Sequence, residues 1–158
     1  MTDDAPKFIL DRELFPLCKA LRMLGFDALS RGDMALETAI ERAIEERRIW
    51  VRRDMDTPSL QYGVRYFMVH SDDEADQLQE LQFQYSISRY AKPFSRCLKC
   101  NLTLVEAERE AVVGRVPEKI LASFEQFYIC PECERVYWPG SHLQRMKKKL
   151  LAWGWKGL

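Results

Sequence analysis

Apolar residues in this chain fall in short clusters between polar turns, and the spacing within each cluster assigns it an element. Phe8-Ile9-Leu10 is a continuous apolar run that ends at Asp11, which predicts a buried strand finishing in a carboxylate. Leu14, Leu17, Cys18, Leu21 and Leu24 then recur at helical spacing, with Pro16 in the first turn and Gly25 where a left-handed cap belongs. Phe26 to Leu29 predicts a second strand. Residues 36–47 predict a helix with Leu36, Ala39, Ile40, Ala43 and Ile44 on one face. Ile49-Trp50-Val51 predicts a third strand, running into Arg52-Arg53-Asp54. Thr57-Pro58 offers a cap and a first helical position. Tyr66 to Val69 predicts a fourth strand. Ser71-Asp72-Asp73-Glu74 has the form of a capping box, followed by Ala75, Leu78, Leu81 and Tyr85 at helical period.

Strands alternating with helices predict an α/β domain over 1–92, with a mostly parallel sheet covered on both faces. Pro93 marks the boundary. Residues 94–140 carry cysteine pairs and little helical period, and Ser141-His142-Leu143-Gln144 resembles a second capping box that opens a basic final helix. Residues 93–158 therefore form the second part.

Composition sharpens this division. The 158 residues are 47% hydrophobic and 30% charged, an ordinary globular balance. Residues 1–95 carry 13 Lys and Arg against 17 Asp and Glu; residues 96–158 carry 11 against 7. An acidic front suits cations and a basic back suits polyanions. No apolar run approaches the roughly 20 residues that cross a bilayer. Met1-Thr2-Asp3-Asp4 is acidic and lacks an apolar segment, so the expected compartment is the cytoplasm.

Four of the five cysteines form two C-x-x-C pairs, Cys97–Cys100 and Cys130–Cys133, with 29 residues between them. Each pair presents two thiolates on one side of a tight knuckle, and two knuckles complete a tetrahedron around zinc. Four thiolates leave no open coordination position, so the expected ion is structural. A redox dithiol and an iron–sulfur cluster are the competing readings. Cys18 lies on an apolar helix face and reads as a buried thiol. His70 and His142, at a strand end and a helix start, read as structural; His70 stays a candidate because it lies near the expected working edge.

Ligands of open α/β sheets collect beyond the carboxyl ends of the strands. Asp11 and Asp54 follow the first and third strands, Asp56 lies two residues on, Asp33 is in a connecting loop and Glu37 is in a helical first turn. Clustered carboxylates repel unless a cation sits between them, and oxygen ligands suit Mg²⁺ or Mn²⁺. Metal-assisted phosphodiester hydrolysis is the reaction such a cluster would support. For Asp33 and Asp56 capping or solvation is the favoured reading.

Three stretches carry a family resemblance. They are Asp11 to Leu14 with Leu17 and Leu21-Arg22-Met23-Leu24-Gly25-Phe26-Asp27; Glu37 to Ala43 with Arg48-Ile49-Trp50-Val51-Arg52-Arg53-Asp54; and Arg96-Cys97 to Cys100, Arg115-Val116-Pro117, Cys130 to Cys133, Val136-Tyr137-Trp138 and Gly140-Ser141-His142. Together they resemble the PIN-like ribonuclease domain first named from the C-terminus of the Mut-seven exonuclease. The resemblance implies a PIN-like α/β nuclease fold with an appended zinc ribbon, a divalent-metal site and RNA as substrate. The family's acidic positions fall on Asp11, Glu37 and Asp54. Three positions depart from the pattern: Arg52 where Thr is common, Glu37 where Asp is common, and Phe15-Pro16 in place of a Gly and a basic residue.

Arg145, Lys147, Lys148 and Lys149, followed by Trp153, Trp155 and Lys156, offer charges for phosphates and rings for unpaired bases, and Arg96 and Lys99 would extend that surface. The alternative is a helix packing Leu143, Met146, Leu150 and Trp153 inward with its lysines in water. The first expectation is a metal-dependent ribonuclease using Asp11, Glu37 and Asp54. The alternative is a non-catalytic RNA- or protein-binding module, kept open by Arg52. A phosphoaspartyl phosphatase is a weaker third, because Glu13 stands where a second Asp is usual.

Overall fold

The computed structural model describes residues 4–53, 61–156 and 158. Among the described residues, the first part holds four strands and three α-helices: β1 (Lys7–Leu10), α1 (Phe15–Met23), β2 (Ala28–Ser30), α2 (Leu36–Glu45), β3 (Arg48–Arg52), β4 (Arg65–Met68) and α3 (Glu74–Tyr85). The strands form one parallel sheet in the order β2-β1-β3-β4. This is the α/β arrangement, a parallel sheet flanked by helices, expected of the sequence. The Thr57-Pro58 cap lies outside the described residues.

The continuous apolar runs are explained by burial on both faces of the sheet. Phe8, Leu10, Ile49 and Val51 face a layer built from Leu17, Leu21 and Leu24 of the α1 region and Leu78 and Leu81 of α3. Ile9 and Trp50 point to the other face, where Ala39 and Ala43 let α2 approach closely. Leu36 and Ile44, assigned by period to the apolar stripe, are largely exposed. The second strand begins at Ala28, not Phe26, because Gly25 and Phe26 are spent on turning the chain. Gly25 has φ +92°, and a Cβ there would collide with the Lys92 carbonyl and the Ser95 hydroxyl.

Both capping boxes are displaced. The N-cap of α3 is Asp73, whose carboxylate accepts from Ala75 N (2.9 Å) and Asp76 N (3.2 Å). Ser71 is held outside the helix because Glu80 accepts its N–H and Gln77 donates to its carbonyl.

The second part holds an antiparallel sheet of β5 (Val105–Ala107), β6 (Phe127–Ile129) and β7 (Val136–Tyr137), the short helix α4 (Glu118–Ser123) and the final helix α5 (Ser141–Ala152). The N-cap of α5 is Gly140, so Ser141 lies inside the helix and caps nothing with its side chain. Leu150 and Trp155 enter the same core as α1 and α3, and Trp155 Nε1 donates to Gln79 Oε1 at 2.9 Å. The last helix thus packs on the α/β layer, with the cysteine-bearing segment between α3 and α5 in sequence.

Candidate functional site: a four-sulfur centre and an acidic rim

The sulfurs of Cys97, Cys100, Cys130 and Cys133 lie within 4.8 Å of one another. Cys97 and Cys133 are 3.7 Å apart. Tetrahedral zinc with Zn–S near 2.3 Å sets its sulfurs about 3.8 Å apart, so the geometry fits that ion. All four are free thiols. Burial opposes ionisation of Cys97, yet the Tyr137 hydroxyl at 3.1 Å and the backbone N–H groups of Cys100 and Lys99 bring its pKa down to about 6. Burial and the neighbouring Cys133 and Cys130 push Cys100 up to about 12. Four sulfurs this close ionise together only around a cation.

A hydrogen-bond network fastens this centre to the sheet edge. Asn101, next after Cys100, has φ 63° and accepts from Ala28 N (3.0 Å) while donating to Asp27 Oδ1 (2.7 Å). Buried Arg22 donates to the carbonyls of Ala28 and Leu98, both at 2.8 Å. Arg96 donates to the carbonyls of Gly25 and Asn101. Arg48 reaches Asp27 from the neighbouring side at 2.8 Å. Burial alone would raise the Asp27 carboxyl, but hydrogen bonds from Arg48 and Asn101 outweigh it and hold the group below its usual range.

The carboxyl ends of the strands form the second region. Asp11, 9% exposed, follows β1 at the centre of the sheet. Its Oδ1 accepts from Trp50 Nε1 at 2.7 Å and its Oδ2 from Arg52 Nε at 3.1 Å. Arg52 is itself buried, its guanidinium 5.8 Å from the Trp50 ring centroid and 5.6 Å from that of Tyr66. Arg31, just past β2, lies 5.9 Å from the Trp50 ring. An open cleft of about 400 Å³ is lined by Asp11, Arg12, Glu13, Arg31, Asp33 and their neighbours. Asp33 is fully exposed and pairs with Arg12. Glu37 is exposed in the first turn of α2. Asp54 and Asp56 lie outside the described residues. Among the described residues, the four cysteines are the only group of three or more such side chains close enough to hold a metal.

The remaining expected residues take other roles. Cys18 is buried, and desolvation pushes its pKa to about 11, which makes it inert. His70 pairs with Glu80 at 3.0 Å. Burial would raise the Glu80 carboxyl, but the N–H groups of His70 and Ser71 outweigh it and lower it. Trp155 is 2% exposed, and Trp153 packs on the core beneath Lys149. The Trp155 ring is closed to a base, and that of Trp153 is partly covered. Lys147 is half-buried, whereas Arg145, Lys148, Lys149 and Lys156 are exposed. No helix among the described residues is long and apolar enough to cross a membrane. Sequence reasoning missed Asn101, Tyr137, Arg22 and Trp50, because each has a partner at least 39 residues away; the one local signal was that position 101 is Asn, a residue type common at positive φ.

A parallel four-stranded sheet flanked by helices, joined to a four-cysteine cluster, defines an α/β domain carrying a zinc-ribbon type of metal centre. A family model described as the Mut7-C RNAse domain matches residues 6–150, and the chain belongs to that family. Among curated proteins and among solved structures, nothing matches the chain.

Proposed function

We propose that this protein is a ribonuclease that hydrolyses RNA phosphodiester bonds at the carboxyl rim of its sheet, with Asp11, Glu37 and Asp54 as the ligands of Mg²⁺ or Mn²⁺. The observation that carries this reading is the state of Asp11: a nearly buried carboxylate at the end of the central strand, oriented by Trp50. Burying a carboxylate costs free energy unless the group is paired, hydrogen-bonded or bound to a metal. Oxygen donors are the right chemistry for such ions, and an ionised carboxylate has about four lone-pair sites, of which two are engaged here. A divalent ion bound there supplies charge neutralisation and an activated water. Trp50 fixes the direction of Asp11, and Arg31 and Arg12 bring positive charge to the cleft a phosphate would enter. The unpaired thiols suit a reducing compartment such as the cytoplasm. The acidic front and the basic back then divide the work between residues 1–92 and 93–158.

A second reading is favoured by one contact. Arg52 already neutralises Asp11, so the rim has an internal cation where the first reading needs an external one. On this reading the chain binds RNA without cutting it. Cleavage of labelled single-stranded RNA across a Mn²⁺ series separates the two. Metal-dependent cleavage that Asp54→Asn abolishes supports the nuclease; binding with no cleavage at any Mn²⁺ concentration supports the second reading.

A further inference from the structure

Of the aromatic rings expected to meet RNA, Trp155 is sealed in the core and Trp153 packs against it, whereas a different set of rings lines an open cleft. A cleft of about 530 Å³ lies between the cysteine-bearing segment and the start of α5. Phe94, Phe124 and Trp138 line it, each only partly buried. Trp138 is packed by one side onto the Val112 and Phe127 cluster, so its ring is fixed in place. The volume lies in the range of sites for small organic groups.

Charge states what would fill it. No carboxylate lines this cleft, whereas Arg96 and His142 do. Each end opens into a groove carrying three cations. One groove, of about 480 Å³, shares Met23, Leu98 and His142 with the cleft and adds Lys19, Arg145 and Lys149. Its two acids are Asp73, already capping α3 and facing Lys149 at 3.6 Å, and Glu74. The other, of about 540 Å³, shares Val136 and Trp138 and adds Lys99, Arg115 and Arg135 against Glu134 and the sulfur of Cys133. An aromatic floor with cations at both ends matches an unpaired base between two phosphates. An apolar peptide would match the floor and leave the flanking cations unused.

We propose that this cleft is a nucleotide subsite for single-stranded RNA, taking a base among Phe94, Phe124 and Trp138 while Lys19, Arg145 and Lys149 on one side and Lys99, Arg115 and Arg135 on the other hold the flanking phosphates. The proposal rests on RNA as the substrate class but not on cleavage. It places strand capture in the second part of the chain, separate from the rim.

The test is fluorescence anisotropy of a labelled single-stranded RNA, without added divalent ion, on the full zinc-loaded chain. Trp138→Ala and Phe124→Ala are expected to weaken binding about tenfold each, while Lys7→Ala, exposed at the start of β1 and outside the cleft and both grooves, changes it little. Trp138→Phe, which keeps a ring, retains most of the affinity. Zinc content and thermal melting check that each variant folds. Photo-crosslinking of the unaltered protein to 4-thiouridine RNA gives a readout that needs no variant, with adducts expected between residues 94 and 143. Full affinity in both alanine variants overturns the subsite, and is the outcome a cleft reserved for a protein would give. Equal affinity for duplex RNA, or crosslinks confined to the rim, also overturns it. Normal binding with no cleavage leaves the subsite standing and removes only the nuclease reading; no RNA binding at all removes both.

Discussion

The cysteine centre and the acidic rim face the same problem and solve it with different cations. Anions gathered in a small, partly dry space need positive charge among them. At the centre, four sulfurs converge to zinc spacing, and Tyr137 and backbone N–H groups support the thiolate of Cys97. At the rim, the chain brings its own cation, Arg52, to Asp11 and holds it against two adjoining aromatic rings. The first arrangement is built around an ion from outside; the second holds a charge that any incoming ion must meet. The lesson is that ligand types narrow the choice of cation, and the neighbouring side chains decide whether a cation is already in place.

The largest effect should come from emptying the first arrangement. Structural zinc contributes roughly 10–16 kcal/mol of apparent binding free energy in small zinc domains. Strong chelation, or Cys130→Ser, is expected to unfold the segment from 94 to 140, read as loss of its amide protection in hydrogen exchange. A segment that stays protected without metal would break the comparison at its firmer end.

Next is the nuclease rim. Asp54→Asn is expected to lower RNA cleavage at least a hundredfold with an unchanged circular dichroism spectrum. Cleavage at the original rate would remove Asp54 from the proposed site.

Arg52→Thr sharpens the contrast directly. Removing one partner of a buried ion pair costs about 3 kcal/mol. The variant is therefore expected to melt well below the original chain, and Mn²⁺ should raise its melting temperature more than it raises that of the original. A variant indifferent to Mn²⁺ would mean that Arg52 and a divalent ion do not compete for Asp11.

The smallest effect concerns the joint between the regions. Asp27 has a lowered pKa in the fold, so its contribution to stability is present above the unfolded value near 3.8 and is lost as pH falls through the folded value. Asp27→Asn should cost about 1 kcal/mol at neutral pH. That difference from the original chain should shrink below about pH 4, where both carry a neutral group. A gap that is constant down to pH 2.5 would show that charge plays no part in the joint.

Elements buried on both faces were the easiest to read, because Phe8-Ile9-Leu10 and Ile49-Trp50-Val51 admit few other roles. The cysteine centre was equally legible, since its chemistry is carried by spacing alone. The partners were not. Asp11 was visible at the end of a strand, but Arg52, 41 residues on, gave no sign that it would turn back onto it. Ser71 fits a capping pattern, and only Glu80 and Gln77, brought in by the tertiary fold, exclude it from the helix. Neither Trp155 nor Trp138 carries a local sign of its fate, yet one is sealed against Gln79 and the other lines an open cleft. Long-range packing decides such differences, and local periodicity does not record them.

The return of α5 to the α/β layer makes the cysteine segment an excursion whose departure and arrival are both moored, by Lys92 N to Leu24 O at 2.7 Å on one side and by Leu150 and Trp155 on the other. A single backbone nick in the exposed turn at Val113 and Gly114 would therefore release neither piece. For the same reason, extra residues spliced there lengthen a loop whose closure cost rises only logarithmically. The stretch is a natural position for grafting a reporter without disturbing either metal chemistry or sheet.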